Sequence, residues 1–291
     1  MENLYGKDPE IEKQLAERIF LKELKECERF PKYLMIEPIN ACNARCIMCY
    51  YGAASGGIYR DRGEIISDEL FNAIVKQMEP HAEWIEMVTM YGRGEPLLDM
   101  GLEAKISRLK DIGIKHIQLS TNAELLNGRT KELLESGVND LRFSVDSVYK
   151  DRYEHIRKGL SFEKVIENIE EAINIRNSFY PDVPIRVRGV ALEQNADERE
   201  EWMQFWKQRL RDSDKAEFIG YHPLHGEKDG GEDWPCISVF STMVIHSNGN
   251  VVLCCNDWEG NVCIGNVSSQ SLIEIWRSEK LANIRRLHIT G

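Results

Sequence analysis

Three cysteines close together near the start of the chain are the residues best suited to chemistry. Cys42, Cys46 and Cys49 form the pattern C-x3-C-x2-C within IEPINACNARCIMCYYG (36–52). Thiolates bind soft metals and iron–sulfur clusters, and three of them leave one iron of a four-iron cluster without a protein ligand. The alternatives are a zinc site completed by a distant His, or three unrelated core thiols. We disfavour both, because no nearby His falls at zinc-site spacing.

A second group of cysteines lies near the C-terminus, within 235–266. Four thiols in such a short segment exceed what a small β-module needs for packing, so Cys236, Cys254 and Cys263 predict a second metal site. Cys255 is the least suitable ligand, because adjacent cysteines seldom both bind one cluster, and it is a candidate hydrogen donor instead. A zinc site, a metal-free hairpin, and an ordinary strand position for Cys263 remain as alternatives. Cys27 is isolated and predicts an ordinary helix residue.

Six apolar segments that alternate with helical patterns position these groups. The predicted strands are 33–38, 84–90, 116–121, 141–146, 185–192 and 216–221. Such alternation predicts an α/β fold with a parallel sheet, and six units favour a partial (β/α)6 TIM-like barrel. A small C-terminal β-hairpin, with an Asn248-Gly249 turn, and a helix are expected to follow as an extension. The expected division is an N-terminal helix (1–30), the barrel (31–225) and the extension (226–291).

Polar side chains are predicted on the inner face of the barrel strands. Because strand residues alternate between faces, Arg142, Ser144 and Asp146 share one face of the fourth strand. By the same argument Arg186 and Arg188 point inward from the fifth strand. Gln118, Ser120 and Asn122 share a face of the third strand. A closed barrel core is usually apolar, so polar residues inside predict a ligand cavity, unless they lie at strand rims in water.

The cysteine triad and the segment YGRGEP (91–96) together resemble the radical S-adenosylmethionine (radical SAM) superfamily. The segment is similar to that family's GGEP motif, with Arg93 between the glycines, and it follows the second predicted strand. The resemblance implies that this loop binds the methionine amino group of SAM. Glu95 would accept its hydrogen bond, Pro96 would hold the loop, and Gly92 and Gly94 would allow close backbone approach. The resemblance also places Met48 near the adenine, Ser144 at the ribose, and Arg188 against SAM or substrate. Ser120, Asn122 and Asp146 complete the predicted cofactor-binding set.

The same resemblance implies the chemistry. A 4Fe-4S cluster on Cys42, Cys46 and Cys49 would chelate the amino and carboxylate groups of SAM through its open iron. One electron, from a reductase or a flavodoxin-type donor, would cleave SAM to methionine and a 5′-deoxyadenosyl radical. That radical would remove a hydrogen atom from the substrate, in an oxidation or an epimerisation. The cofactor supplies the radical chemistry, while the protein positions the reactive species and shields it from water.

The C-terminal cysteines resemble the extension called SPASM, or its shorter form, twitch. Cys236 is followed by Gly249-x4-Cys254 and later by SLIEIW (271–276), as in that extension. The resemblance implies an auxiliary iron–sulfur cluster. Full modules continue with further cysteines, whereas this chain stops at RRLHITG (285–291). The expectation is therefore either a reduced site or a truncation before the last ligands.

Composition indicates which classes of partner the protein is suited to bind. The chain has 37 Lys and Arg residues and 48 Asp and Glu residues, which give a net charge of −11. This charge disfavours binding to nucleic acid, because phosphate binding needs a basic face. No apolar run predicts a membrane span, and the polar N-terminus does not resemble a secretory signal. We therefore expect a cytoplasmic enzyme with reduced thiols.

The substrate is the least defined part of the prediction. The short N-terminal segment and the short extension favour a small polar substrate that is carbohydrate-like or aminocyclitol-like. A peptide-modifying enzyme of the same superfamily is the alternative. A non-catalytic iron–sulfur protein is a remote one.

Overall fold

Nine strands form a single sheet in the computed structural model, which describes residues 9–49, 63–221 and 235–290. The strands are β1 (Tyr33–Ile36), β2 (Met87–Thr89), β3 (Ile117–Thr121), β4 (Asp140–Ser144), β5 (Ile185–Ala191), β6 (Lys215–Gly220), β7 (Thr242–Ile245), β8 (Asn250–Val252) and β9 (Cys263–Asn266). Their spatial order is β9-β8-β7-β1-β2-β3-β4-β5-β6. Strands β1 to β6 are parallel throughout, which is the predicted six-stranded partial barrel.

Helices cover the outside of the sheet. The described helices are α1 (Pro9–Arg18), α2 (Asp68–Met78), α3 (Leu102–Asp111), α4 (Thr130–Ser136), α5 (Lys150–Ile156), α6 (Phe162–Phe179), α7 (Arg199–Lys207), α8 (Ser238–Ser241), α9 (Leu272–Trp276) and α10 (Glu279–Thr290). Side-chain oxygens of Ser67, Ser161 and Ser271 accept backbone N–H bonds and start α2, α6 and α9. None of the described helices is long and apolar enough to cross a membrane.

The helix predicted over 1–30 is shorter in the structure, where it covers Pro9–Arg18 of the described residues. Phe20 has a positive φ of 58°, which ends the helical path after α1. A 3₁₀-helix at Leu24–Glu28 follows, and Cys27 is buried there as predicted. The Trp276 indole donates to the Cys27 carbonyl at 2.7 Å, so this segment is fastened to the C-terminal helices.

The C-terminal extension continues the barrel sheet. β7 pairs in parallel with β1 from Tyr33↔Thr242 to Ile36↔Ile245, and β8 then returns antiparallel after the predicted turn. Gly249 has a φ of 82° in that turn, a conformation that favours glycine. The proposed boundary at 225/226 and most of the linker lie outside the described residues, so the domain division remains a proposal. β1 is thus an interior strand, with the extension on one side and the barrel on the other.

Candidate active site

The cysteine loop after β1 is held in place by its own backbone. Arg45–Cys46 pairs antiparallel with Arg157–Lys158, and the Ile47 amide donates to the Ile156 carbonyl at 2.9 Å. Loop and helix α5 are therefore joined independently of any metal.

The three thiols of this loop differ in burial. Cys46 is buried, whereas Cys42 and Cys49 are partly exposed. Burial raises the pKa of Cys42 to about 12 and that of Cys46 to about 11, so both hold their protons until a metal displaces them. Among the described residues, no three His, Cys, Asp or Glu side chains are arranged to hold a single metal ion.

The YGRGEP segment (91–96) packs directly on the cysteine loop. A Cβ on Gly94 would lie 2.3 Å from the Ala41 carbonyl oxygen, and one on Gly92 would lie 2.8 Å from the Glu37 Cβ. Both distances are far below van der Waals contact, so only glycine fits at either position. The Glu95 amide also donates to the Ala41 carbonyl at 2.8 Å. The glycines thus let this segment approach the cysteine loop.

Glu95 is buried, and its carboxylate is mostly occupied by the chain itself. Its Oε1 accepts from the Thr121 hydroxyl at 2.7 Å and from the Leu97 amide at 3.0 Å, and its Oε2 accepts from the Asn122 amide at 2.8 Å. A carboxylate has about four acceptor positions, so roughly one remains, on Oε2. Burial raises the pKa of Glu95. Glu95 therefore fixes the ends of β2 and β3 and has one acceptor position left for a ligand.

These segments surround a cavity of about 220 Å³. The lining residues that the sequence predicted are Cys42, Cys46, Met48, Cys49, Gly92, Gly94, Glu95, Ser120, Asn122 and Ser144. The lining residues that it missed are Ala44, Tyr91, Arg93, Thr121, Arg157 and Trp258. Thiols, a carboxylate, hydroxyls and an amide thus converge on one space of a size suited to a small ligand.

Three predicted cofactor residues lie outside this lining. Pro96 is buried and starts the 3₁₀-helix at Pro96–Leu98. Asp146 is buried, accepts from the Val190 amide at 2.8 Å and pairs with Arg157 at 2.6 Å. Arg188 forms an ion pair with Glu217 at 2.6 Å. In these contacts Pro96 and Asp146 support the site rather than line it.

Arg157 is a buried cation at the base of the cavity that sequence reasoning missed. Its guanidinium pairs with Asp146 and donates to the Cys46 sulfur at 3.8 Å. Burial opposes its charge, but Asp146 outweighs this, and the pKa of Arg157 is raised. The residue follows α5, a short helix whose pattern gave no signal of a site. Arg157 places a permanent positive charge beside one thiol of the triad.

A second cavity of about 190 Å³ lies next to the first. It is lined by Met35, Glu37, Tyr91, Gly92, Arg93, Val244, His246, Cys255, Asn256 and Trp258. Tyr91, Gly92, Arg93 and Trp258 border both cavities. The second cavity therefore lies between the barrel and the C-terminal extension, and it joins the triad to Cys255.

Arg93, the residue between the two glycines, connects three segments around this second cavity. Its Nε and Nη2 donate to the two carboxylate oxygens of Glu37 at 2.8 and 2.7 Å, and its Nη1 donates to the Trp258 carbonyl at 3.1 Å. Glu37 also accepts from the amide and the hydroxyl of Ser247, each at 3.1 Å. Burial opposes the Glu37 charge, yet Arg93 holds the pKa of Glu37 below its usual value.

The C-terminal thiols lie in two settings. The hydrogen bond between Cys254 and Cys255 lowers the pKa of Cys254 to about 6 and raises the pKa of Cys255. The nearby Cys236 thiol also raises the pKa of Cys255. Cys263 on β9 instead donates to the Gly265 carbonyl at 3.2 Å. Cys236 and Cys255 are exposed, whereas Cys254 and Cys263 are partly exposed. The structure thus groups Cys236, Cys254 and Cys255 more clearly than it groups Cys263 with them.

Comparison with known proteins agrees with this arrangement. Residues 36–205 match the model of the radical SAM superfamily, and residues 236–290 match SPASM, an iron-sulfur cluster-binding domain. A GTP 3′,8-cyclase of Alkaliphilus oremlandii (strain OhILAs) is 31% identical over 203 residues, which are 69% of this chain and 59% of the relative. One of Pelotomaculum thermopropionicum is 33% identical over 148 residues, 50% of this chain and 44% of the relative. The matches thus span about half the length of these curated relatives.

Three solved structures share the fold. BtrN in complex with AdoMet and 2-DOIA gives a TM-score of 0.62 at 16% identity, covering 90% of this chain and 88% of that one. AdoMet-bound anSMEcpe gives 0.66 at 19% identity, with 86% and 82% covered. Streptococcus suis SuiB bound to precursor peptide SuiA gives 0.71 at 15% identity, with 94% and 70% covered. At these identities the likeness concerns the fold alone.

Proposed function

The chain belongs to the radical SAM superfamily and carries an iron–sulfur domain, and from that premise we propose that its substrate is a small polar, carbohydrate-like or aminocyclitol-like molecule. Membership implies an enzyme that uses a 4Fe-4S cluster, S-adenosylmethionine and an additional iron–sulfur cluster. The proposed reaction begins with hydrogen-atom abstraction from that substrate. Oxidation would then require that one electron passes to the additional cluster and one proton to a base, whereas epimerisation would require a hydrogen atom from a donor thiol.

One observation carries the assignment of the cofactor site: the triad, Glu95 and the strand-end polar residues meet in one cavity. We assign Cys42, Cys46 and Cys49 as ligands of the first cluster. When bound, cluster and SAM supply a 5′-deoxyadenosyl radical. The free acceptor position on Glu95 suits a protonated amine, and Ser144 and Asn122 offer hydrogen bonds to a sugar.

The second cavity is the proposed substrate space. It shares a border with the first at Tyr91 and Trp258, so a substrate there lies beside the SAM site. Its lining is partly apolar, through Met35 and Val244, with His246 and Asn256 as polar groups. Cys255 is an exposed residue that lines it, and we propose its thiol as the hydrogen donor in an epimerisation. Cys236, Cys254 and Cys263 remain the proposed ligands of the second cluster.

The decisive experiment is anaerobic reduction of the reconstituted protein with SAM. We expect 5′-deoxyadenosine from the wild type and none from Cys46→Ala, because two thiolates hold a cluster poorly. Cys27→Ser is the matched control, since Cys27 lies in the core of the N-terminal segment, and it should keep both its iron and the cleavage. Wild-type protein that forms no 5′-deoxyadenosine, or full turnover by Cys46→Ala, would overturn the assignment.

Deuterated water distinguishes the two outcomes for the substrate. With aminocyclitols and sugars as test substrates, epimerisation introduces solvent deuterium at the inverted carbon, whereas oxidation yields a carbonyl product. If Cys255 is the donor, Cys255→Ser abolishes deuterium uptake while SAM cleavage continues. Unchanged uptake in Cys255→Ser would exclude this thiol as the donor.

A further inference from the structure

Three arginines form a ladder on the inner faces of β4 and β5. Arg142 and Arg186 are paired positions of the two strands, and two residues further on Ser144 pairs with Arg188. Residues two apart on a strand share a face, so all three guanidinium groups extend from the same side of the sheet. Ser144 lines the first cavity, which places this face toward the site.

The carboxylates that the structure describes around the ladder are too few to neutralise it. Asp140 pairs with Arg142 at 2.7 Å and with Arg186 at 3.2 Å, and Glu217 pairs with Arg188 at 2.6 Å. His116 also contacts Asp140, at 3.5 Å, and so competes for the same carboxylate. Among the described residues, three guanidinium groups thus share two carboxylates, which leaves one cation in excess there. This local excess is positive although the whole chain carries a net charge of −11.

The ladder is accessible and adjoins the substrate space. The side chains of Arg142, Arg186 and Arg188 are 14%, 24% and 34% exposed. Burial raises the pKa of Tyr91, and Arg142 and Arg188 are close enough to oppose that rise. Tyr91 therefore lies near the ladder and also borders both cavities, so the ladder adjoins this space without lining it.

We propose that the Arg142–Arg186–Arg188 ladder binds a phosphate group of the substrate, so that the substrate is a phosphate ester of the proposed small polar molecule. This inference rests on the proposed function for the identity of the rest of the substrate. Guanidinium groups present paired N–H donors in a plane that matches phosphate oxygens. Three guanidinium groups, one on β4 and two on β5, suit the three oxygens of a phosphate better than a single carboxylate would.

Glu217 gives the ladder a feature that a purely structural network lacks. It is 28% exposed and occupies Arg188, so a phosphate that enters must compete with it. Removing the Glu217 charge therefore increases the excess from one cation to two and releases Arg188. A phosphate site is strengthened by this change, whereas a structural ion-pair network is only weakened.

The test is calorimetric titration of inorganic phosphate into the reconstituted holoenzyme at low ionic strength. Saturating SAM is present, so that its cavity is filled. We expect saturable binding by the wild type, at least about tenfold weaker binding by Arg186→Gln, and tighter binding by Glu217→Gln. Arg108→Gln is the matched control, because Arg108 lies on α3 and pairs with exposed Asp68 at 3.0 Å; its binding should equal that of the wild type.

The absence of saturable binding by the wild type would overturn the inference. So would equal binding by wild type and Arg186→Gln, or binding that Glu217→Gln leaves unchanged or weakens. The Glu217→Gln variant also controls for misfolding, because a folding defect would not tighten phosphate binding. 5′-Deoxyadenosine formation by the same wild-type preparation separates the two proposals. Wild-type protein that cleaves SAM but binds no phosphate refutes only the ladder, whereas protein without SAM cleavage refutes the proposed function whatever the phosphate result.

Discussion

Replacing Arg93 tests whether the barrel and the extension are joined through one buried ion pair. In Arg93→Met the side-chain bonds to Glu37 and to the Trp258 carbonyl are lost, and an apolar chain of similar length remains. The Arg93 side chain is 10% exposed and that of Glu37 only 1%. The change therefore leaves a carboxylate buried without its cation.

The size of the effect follows from what remains around Glu37. Breaking a buried pair from one side costs about 3–5 kcal/mol, because the other charge is stranded. Three donors still reach Glu37 after the change: the Arg93 amide at 3.0 Å and the amide and hydroxyl of Ser247. We therefore expect the lower end, about 3 kcal/mol. With a urea m-value of about 3 kcal/mol per M, the midpoint of unfolding falls by roughly 1 M.

Urea unfolding followed by circular dichroism measures this loss under anaerobic conditions. Arg108→Met is the control, because its exposed ion pair should contribute less than about 1 kcal/mol. Adding Glu37→Gln to Arg93→Met removes the stranded charge and should restore more than half of the lost stability. A loss below about 1 kcal/mol in Arg93→Met, or a double variant no more stable than the single one, would refute the reasoning.

Three further predictions concern other parts of the molecule. Glu95→Gln should weaken SAM binding by roughly 1–3 kcal/mol in calorimetry, since a hydrogen bond to a charged group is lost; unchanged affinity would show that Glu95 only fixes the loop. Asp214→Asn should destabilise the protein at neutral pH and flatten the decline of its stability in acid. Burial opposes the Asp214 charge, but Arg176 and two backbone amides lower the pKa of Asp214, so its contribution is present above about pH 4 and is lost as the pH falls; equal acid profiles for variant and wild type would contradict this. Cys236→Ala should lower the iron content while SAM cleavage continues, and an unchanged iron content would remove Cys236 from the second site.

The sequence predicted the elements that carry periodic patterns and the residues that carry motifs. The six barrel strands and the Asn248-Gly249 turn could be predicted from alternation and turn residues, whereas the convergence of Cys42, Glu95 and Ser144 was implied by the family resemblance. The bounds were less accurate, and the strand predicted over 84–90 is only Met87–Thr89. The edges of a strand depend on its partners, which local patterns do not contain.

Contacts between distant segments explain what the sequence did not predict. Arg157 reaches the cysteine loop only because α5 ends beside Cys46, and no spacing rule relates residues that far apart. Trp258 borders both cavities because β7 joins β1, a pairing that the hairpin pattern alone does not indicate. Close backbone approach at Gly92 and Gly94 was expected from the sequence. The groups that they approach, the Ala41 carbonyl and the Glu37 side chain, are known only from the structure.

The position of β1 has a consequence for how the protein folds. Its two neighbours are β2, close in sequence, and β7, more than 200 residues further along the chain. During synthesis β1 therefore emerges early and waits with one edge unpaired until β7 has been made. Contacts of such long sequence separation slow folding, and an open apolar edge invites pairing with other chains. We expect folding in two kinetic phases, with the β1–β7 pairing in the slower one, and aggregation to be worst when folding stops between them.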